Sequence, residues 1–321
     1  MRTLPTKDGT RMLSDEIRIQ LGQLHRPTWF HETAGTPGGP TAGAARSVPI
    51  EPAVAGAFDL MRHGEENANP AGKHLRFTRP LSAFWPASDS VIRRSAFAAA
   101  AKSELHGELA AVLEHFPRGT LFLDLETCGF AGSMVFLVGM VWRVGQALVV
   151  DQLLARDYAE EKAILHTLWQ IASRNRVLIT FNGKSFDWPM VRDRGTRHQL
   201  GQVQRPRAAD GPSEPSESRG RNDPWPELTH CDLLHHARRR WKALLPNCRL
   251  QTLERFICRR SRRDDLPGAQ VPAAYHQFVR TGAARQVGAI LHHNALDLLT
   301  LVQVTLALLP RDDADAWRAA Q

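Results

Sequence analysis

The sequence predicts an α/β fold in which helices flank a mixed central sheet, and the order of its apolar segments is the main reason. Three β-rich runs, 121–126, 133–143 and 146–155, follow one another with only short turns between them. Connections this short favour a three-strand antiparallel meander. Helices and single strands then alternate along the chain, which predicts additional parallel strands.

The elements after residue 156 follow from the spacing of apolar residues. Positions 164, 165, 168 and 171 are apolar at helical intervals within 157–173. VLITFN (177–182) predicts a strand leading into a helix that begins near Ser185. LTHCDLL (228–234) predicts a short strand that enters an Arg-rich helix. The remaining predicted helices are 249–258, 271–281 and 285–309.

Composition divides the chain into a folded domain and less ordered flanking regions. Pro117 and Gly119 precede the first strand and mark the start of the domain. The predicted regions are an N-terminal region at 1–115, the folded domain at 116–310 and a C-terminal tail at 311–321. Within them we expect a flexible linker at 31–56, a helical segment near 91–115 and an exposed Pro- and Ser-rich insertion at 201–227.

The charge and the cysteines limit the classes of partner and compartment. The net charge is +8 with a pI near 9.8, which favours a polyanionic partner such as nucleic acid. The four cysteines form no CxxC pair, so neither a disulfide framework nor a zinc ribbon is predicted. With no apolar leader segment, we expect a cytoplasmic protein without a membrane partner.

Acidic residues supply the main functional signal. Asp124 and Glu126 lie two residues apart in the run LFLDLETCGF, so they point to the same side of the predicted strand. Two neighbouring carboxylates repel each other unless a cation lies between them, and oxygen ligands suit Mg²⁺ or Mn²⁺. Asp187 comes directly after TFNGKSF, where the fourth predicted strand gives way to a helix, and Asp297 lies in the final helix.

Two histidines near the end of the chain are candidates for activating water. His293 precedes Asp297 by four residues and shares its helix face, whereas His292 precedes it by five and points away. Geometry favours His293, and His292 remains an alternative.

These motifs, in this order, resemble the DEDD superfamily of 3′→5′ exonucleases within the RNase H-like fold, and more closely the bacterial YprB-type RNase H-like domain. The resemblance covers about 118–308. It is carried by LFLDLET (121–127), LITFNGKSFDWPMVRDR (178–194), HCDLLHHARRRWKALLPNCRLQTLE (230–254), DLPGAQVPAAYHQFVRTG (265–282) and LHHNALDLLTL (291–301).

The resemblance implies two divalent cations, Mg²⁺ or Mn²⁺, held by Asp124, Glu126, Asp187 and Asp297. It also implies hydrolysis of phosphodiesters, with single-stranded DNA or RNA as substrate. The final motif fits neither subclass of the superfamily, because His293 occupies the YxxxD position and His292 the HxxxxD position.

The predicted substrate contacts are polar side chains within the same motifs. They are Thr127, Asn182, Lys184 and Asn294. A basic segment at 235–263 could bind a phosphate backbone, although Trp241 within it fits a core position better than a base-stacking one. Asp232 is interpreted as a helix cap or as a partner for the neighbouring Arg side chains. Zinc binding by His230, Cys231, His235 and Cys248 is not supported by their spacing.

Two other functions remain open. The chain could be a nucleic-acid-binding module with an inactive site, or a scaffold whose 201–227 insertion and N-terminal region recruit partners. Replacement of Asp124 would abolish turnover only in an enzyme, and deletion of the insertion would abolish partner capture only in a scaffold.

Overall fold

A computed structural model describes five stretches of the chain. Within them, helices cover both faces of one mixed sheet. The described residues are 63–94, 105–129, 132–200, 225–262 and 265–310. The predicted linker at 31–56 and tail at 311–321 lie outside these stretches.

The described residues contain seven strands and eight α-helices. The strands are β1 (Glu65–Asn69), β2 (Gly72–Pro80), β3 (Thr120–Thr127), β4 (Val135–Val144), β5 (Ala147–Leu154), β6 (Val177–Thr180) and β7 (Thr229–Asp232). The helices are α1 (Ser88–Arg94), α2 (Gly107–His115), α3 (Glu161–Ala172), α4 (Asp187–Arg197), α5 (Leu233–Trp241), α6 (Leu250–Phe256), α7 (Val271–Thr281) and α8 (Arg285–Leu308).

The sheet has the strand order β1-β2-β5-β4-β3-β6-β7. Strands β3, β4 and β5 form the predicted antiparallel meander, and β6 and β7 continue it in parallel with β3. The predicted α/β class with a mixed sheet is therefore confirmed. Because β6 pairs with β3 only as far as Phe122, the last residues of β3 have no strand neighbour on that side.

Alternation along the strands divides the core between the two faces of the sheet. On one face, Phe122 and Val141 pack against α8 residues such as Leu298. On the other face, Leu121 and Met140 pack against α3 and α4. A third cluster lies towards β2, where the Tyr275 ring stacks on Phe136 with centroids 3.9 Å apart.

Strands β1 and β2 extend the sheet upstream of the domain start that the sequence predicts near residue 116. Residues 65–80 form a hairpin whose second strand pairs with β5. The alternation of Leu75 and Phe77 is too short to stand out among polar neighbours, and pairing with β5 supplies the hydrogen bonds that make it a strand. Of the helical segment expected at 91–115, α1 and α2 are helical, and 95–104 lies outside the described residues.

The insertion predicted at 201–227 ends earlier than expected. Residues 201–224 lie outside the described stretches, but Trp225 is buried in the core. Its indole meets Trp188 edge to face at 5.4 Å, and a Cβ on Gly195 would come within 2.6 Å of its Nε1. Trp225 therefore belongs to the fold, because its large apolar surface is covered by α4.

Helix α8 is the central helix of the fold. It is the one helix in the described part of the chain that is long and apolar enough to cross a membrane by length and composition. However, 78% of its most apolar window is buried against the rest of the protein, as expected of a core helix. This burial places its few polar residues beside β3.

Candidate active site

Strand β3 presents two acidic side chains on one face. Asp124 and Glu126 are half-buried, whereas Leu123 and Leu125 are buried in the cluster on the opposite face. This is the alternation expected of a strand whose two faces are both covered. Both carboxylates thus face the layer that contains α8.

Helix α8 brings His293 and Asp297 to the same layer. One helical turn separates them, and His293 Nε2 lies 3.4 Å from Asp297 Oδ2. His293 is buried. His292 is half-buried and makes no hydrogen bond or ion pair with these acids within the described stretches. The structure therefore associates His293, and not His292, with the acidic cluster.

Asn294 connects α8 to β3 directly. Its Nδ2 donates to Asp124 Oδ2 at 2.8 Å, and its Oδ1 accepts from Gln152 Nε2 at 2.8 Å. Asp124, Gly139 and Gln152 are register partners on three adjacent strands, so the Asn294 amide lies across this row. Asn294 is fully buried. Its contacts orient Asp124, and they leave no exposed surface for the substrate contact that the sequence predicts.

Asp187 joins the cluster from the first residue of α4. It is buried, and its carboxylate accepts from its own backbone N–H and from that of Leu125. The Leu125 amide lies in the part of β3 beyond its pairing with β6. The hydrogen bond to the unpaired end of β3 therefore holds Asp187 next to Asp124 and Glu126.

Burial and neighbouring charges raise the pKa values of three of these acids. Burial, followed by the negative charges of Asp297, Glu126 and Asp187, raises the pKa of Asp124 well above its usual value, against the opposing hydrogen bond from Asn294. Burial raises the pKa of Glu126 to about 8, although the His293 charge acts in the opposite direction. Burial also raises the pKa of Asp187 to about 7. These shifts show that the three carboxylates are buried without enough nearby positive charge to offset the cost of ionising them.

This donor set fits divalent cations that prefer oxygen ligands. Asp124, Glu126 and Asp187 form no ion pair with an Arg or Lys side chain anywhere in the described part of the chain. Converging carboxylates from β3, α4 and α8 would be stabilised by Mg²⁺ or Mn²⁺. All four acids proposed as ligands from the sequence are thus brought together.

Arg262 and Asp265 are site neighbours that the sequence interpretation missed. The Arg262 guanidinium donates to Asp297, to Asp265 at 3.0 Å and to Glu254 at 2.7 Å. Asp265 in turn lies 2.9 Å from His293 Nδ1 through each of its oxygens. Asp265 opens one of the segments that carry the family resemblance, but no spacing rule links it to a histidine 28 residues later.

These contacts determine the charge of His293. Burial alone would lower the pKa of its imidazole, but the hydrogen bond that it donates to Asp265 and the charges of Asp297 and Glu126 outweigh burial and raise it. By contrast, burial lowers the pKa of His292.

The other predicted substrate residues lie at the ends of β3 and β6. Thr127 is buried, and its hydroxyl donates to the carbonyl of Gly129 at 2.8 Å. The backbone N–H groups of Asn182 and Lys184 donate to the two oxygens of Asp232, at 2.8 and 3.1 Å. Asn182 adopts a left-handed conformation with φ 63°, which asparagine tolerates better than most residues.

Asp232 has the capping role that the sequence suggests. It precedes α5, and its carboxylate accepts from the Leu234 amide. It therefore secures both the start of α5 and the loop after β6.

The basic segment divides into buried and exposed residues. Arg260, Arg262 and His236 are buried or paired internally, which corrects the prediction of one continuous basic surface. Trp241 is buried in the core, as its spacing favours. The exposed basic side chains of α5, α6 and the loop between them are His235, Arg238, Arg239, Arg240, Lys242, Arg249 and Arg255.

A second cluster of possible metal donors lies at the start of α2. His106, Glu108 and His236 place one ligand atom each within 4.8 Å of one another. However, Glu108 accepts from Lys184 at 2.7 Å, and Arg239 donates to His236 Nδ1 at 2.9 Å. Since His236 Nε2 then carries a proton and donates to Glu108, these hydrogen bonds satisfy the cluster without a metal.

Comparisons with known proteins agree with this geometry. Residues 121–309 match a family model described as the RNase_H superfamily. The chain is also similar to a Bacillus subtilis (strain 168) protein described as "Uncharacterized protein YprB", with 30% identity over 212 residues. That alignment covers 62% of this chain and 46% of the Bacillus protein, so the chain spans less than half of its relative's length.

Proposed function

This chain belongs to the RNase H superfamily, and on that premise we propose that it is a metal-dependent nuclease that removes nucleotides from the 3′ end of single-stranded nucleic acid. The superfamily supports a nuclease with divalent metal ions and a nucleic-acid substrate. The resemblance to DEDD exonucleases supports the direction of cleavage, the single-stranded substrate and the use of two ions.

The convergence of four carboxylates is the observation that carries the proposal. Asp124 and Glu126 come from β3, Asp187 from α4 and Asp297 from α8. Burial and mutual repulsion raise the pKa of Asp124, and burial is the main cause of the raised pKa of Glu126 and Asp187. Because a purely structural cluster would neutralise such charges with nearby cations, the unbalanced charge favours a metal-binding role.

We assign each residue a role from its position. Asp124, Glu126, Asp187 and Asp297 would hold Mg²⁺ or Mn²⁺, and Asn294 would keep the Asp124 carboxylate in a fixed orientation. When bound, the two ions supply positive charge that stabilises the developing negative charge of the phosphate. His293, with Nε2 directed at the acids, would accept a proton from the attacking water.

The exposed basic residues of α5 and α6 support a polyanionic substrate. Arg238, Arg239 and Arg240 are consecutive and exposed, so their guanidinium groups can contact phosphate oxygens from solvent. Lys184 is partly exposed and pairs with Glu108. A phosphate could compete with Glu108 for this ammonium. The same surface would also serve a binding module without turnover, and this alternative is decided by the test below.

Digestion of end-labelled oligonucleotides tests the proposal directly. Single-stranded DNA and RNA carrying a label at either the 5′ or the 3′ end are incubated with the protein and Mg²⁺, Mn²⁺ or EDTA. A 3′→5′ exonuclease gives a ladder of shortened products from the 5′-labelled strand. It gives mononucleotide at once from the 3′-labelled strand. EDTA should stop both reactions.

Two variants distinguish the loss of a metal ligand from the loss of any one carboxylate. Asp124→Asn should abolish cleavage, because an amide is a poor ligand for Mg²⁺. Asp193→Asn is the matched control, since Asp193 is an exposed carboxylate on α4 that pairs with Arg197, and it should cleave like the wild type. Binding of both oligonucleotides without cleavage under any metal would contradict the nuclease and favour the binding module.

A further inference from the structure

Four polar side chains form a closed ring beside the acidic cluster. Arg262 donates to Asp297 with one terminal nitrogen and to Asp265 with the other. Asp265 contacts His293 Nδ1, and His293 Nε2 faces Asp297 and closes the ring at 3.4 Å. Each of the four side chains is mostly buried. The ring therefore defines the orientation of the imidazole more firmly than a surface contact could.

The Asp265 contact determines which nitrogen of His293 carries the proton. Both oxygens of Asp265 lie 2.9 Å from Nδ1, and an ionised carboxylate can only accept hydrogen bonds. Nδ1 must therefore be protonated. In the neutral ring this leaves the lone pair on Nε2, which is the nitrogen that faces Asp297 and the acids of β3.

Arg262 makes this arrangement rigid. Its guanidinium also donates to the buried Glu254 on α6, so Asp265 is attached to the core through a planar group with fixed geometry. Asp265 lies in the segment before α7, and His293 lies on α8. The ring thus joins the segment before α7 to α8, which are far apart in the sequence, and no local preference would produce it.

We propose that Asp265 is a positioning residue for His293, which fixes the tautomer and the ring orientation so that Nε2 can accept the proton of the attacking water. This inference rests on the proposed nuclease activity and deepens it. It also explains how His293, rather than His292, serves this site: within the described residues His292 has no carboxylate partner.

The kinetic test compares Asp265→Asn with the wild type. The amide can present an N–H to Nδ1 and favour the wrong tautomer, so kcat should fall about 10- to 100-fold, as is typical for partners that orient a reacting group. KM should change less than about twofold. Asp265→Glu, which keeps the carboxylate, should recover part of the loss. Asp151→Asn is the matched control, because Asp151 is a buried carboxylate that pairs with Arg76 away from His293, and its kcat should stay at the wild-type value.

A double-mutant cycle distinguishes positioning from a structural effect. In a His293→Gln background, Asp265→Asn should cause no further loss of kcat, because the imidazole that it orients is gone. An equal loss in both backgrounds would overturn the inference.

Histidine NMR gives a readout that needs neither metal nor turnover. Long-range ¹H–¹⁵N spectra of the metal-free protein, with the His293 signals assigned by their absence in His293→Gln, should show a protonated Nδ1 that is lost or altered in Asp265→Asn. A wild-type His293 with its proton only on Nε2 would overturn the inference. So would wild-type kcat in Asp265→Asn. If the wild type cleaves no substrate at all, the proposed function fails, whereas the NMR spectra still decide whether Asp265 fixes the tautomer of His293.

Discussion

Gly139 and Asn294 approach each other so closely that any side chain at position 139 would displace the Asn294 amide. A Cβ built on Gly139 would lie 2.0 Å from Asn294 Oδ1 and 2.6 Å from its Cγ. Gly139 is the register partner of Asp124, so the absent side chain leaves the space through which Asn294 reaches that carboxylate. The glycine of a core strand thus has a role in building the candidate active site.

Gly139→Ala should therefore impair both stability and activity. The added methyl must displace the Asn294 amide, and overpacking of this kind costs about 1–3 kcal/mol. Urea denaturation measures the loss, which should be smaller when Asn294→Ala is already present. Gly107→Ala is the control, because no atom lies within 4 Å of its Cβ position. Additive effects of Gly139→Ala and Asn294→Ala would contradict this explanation.

Glu126→Gln should stabilise the metal-free protein at alkaline pH. Burial raises the pKa of Glu126 to about 8 from 4.5. Between these two pH values the unfolded state loses its proton more readily than the folded state, so the free energy of unfolding falls as the pH rises from 4.5 to 8. In EDTA at pH 8 the amide should raise the free energy of unfolding by on the order of 3 kcal/mol. Near pH 4 the two proteins should be equally stable, and a difference of the same size at both pH values would rule out the charge as its cause.

Metal binding at pH 7 should release protons. The raised pKa values of about 8 for Glu126 and about 7 for Asp187 mean that the metal-free site retains protons that a divalent cation must displace. Calorimetric titration with Mn²⁺ in two buffers of different ionisation enthalpy counts these protons, and affinity should rise between pH 6 and pH 8. Equal heats in both buffers would show that the acids are already ionised. Asp187→Asn should reduce the number released, whereas Asp193→Asn should not.

His74 should make the protein sensitive to mild acid. Burial, followed by the charge of Arg76, lowers the pKa of this fully buried imidazole to about 4 from 6.5. The unfolded state therefore binds a proton first, and stability is lost as the pH falls from 6.5 to 4, by up to about 3 kcal/mol. His230 has a similarly lowered pKa and adds its own acid sensitivity to both proteins. The difference between the free energies of unfolding of the wild type and His74→Gln at each pH therefore isolates the contribution of His74. Parallel curves would show that His74 is not responsible.

The exposed arginines should contribute to binding through the phosphate backbone. Replacing Arg238 and Arg240 with glutamine should weaken binding of single-stranded oligonucleotides and reduce the salt dependence of log Kd by about one to two units of slope. Fluorescence anisotropy at several salt concentrations, with the catalytically impaired Asp124→Asn as background, provides the measurement. The control replaces Arg143, which lies on β4, and Arg174, which lies in the turn after α3. An equal effect from both pairs would indicate nonspecific attraction by net charge.

Local periodicity allowed much of the fold to be predicted. The alternation of Asp124 and Glu126 and the one-turn spacing of His293 and Asp297 are properties of a strand and a helix by themselves, so they can be read from the sequence. The same is true of the meander, because short turns permit only antiparallel neighbours. Strands β1 and β2 were missed because their apolar alternation is weak and their pairing partner, β5, lies some 70 residues later.

The sequence by itself determined which acids and which helix face were available, since residue type and periodicity are local. The tertiary structure alone decided how those groups meet. It placed Asn294 over Gly139, brought Arg262 from an apparent basic surface into the core, and joined Asp265 to His293 across 28 residues. Such contacts depend on the packing of α8 against the sheet, and packing is a property of the whole chain that no local pattern encodes.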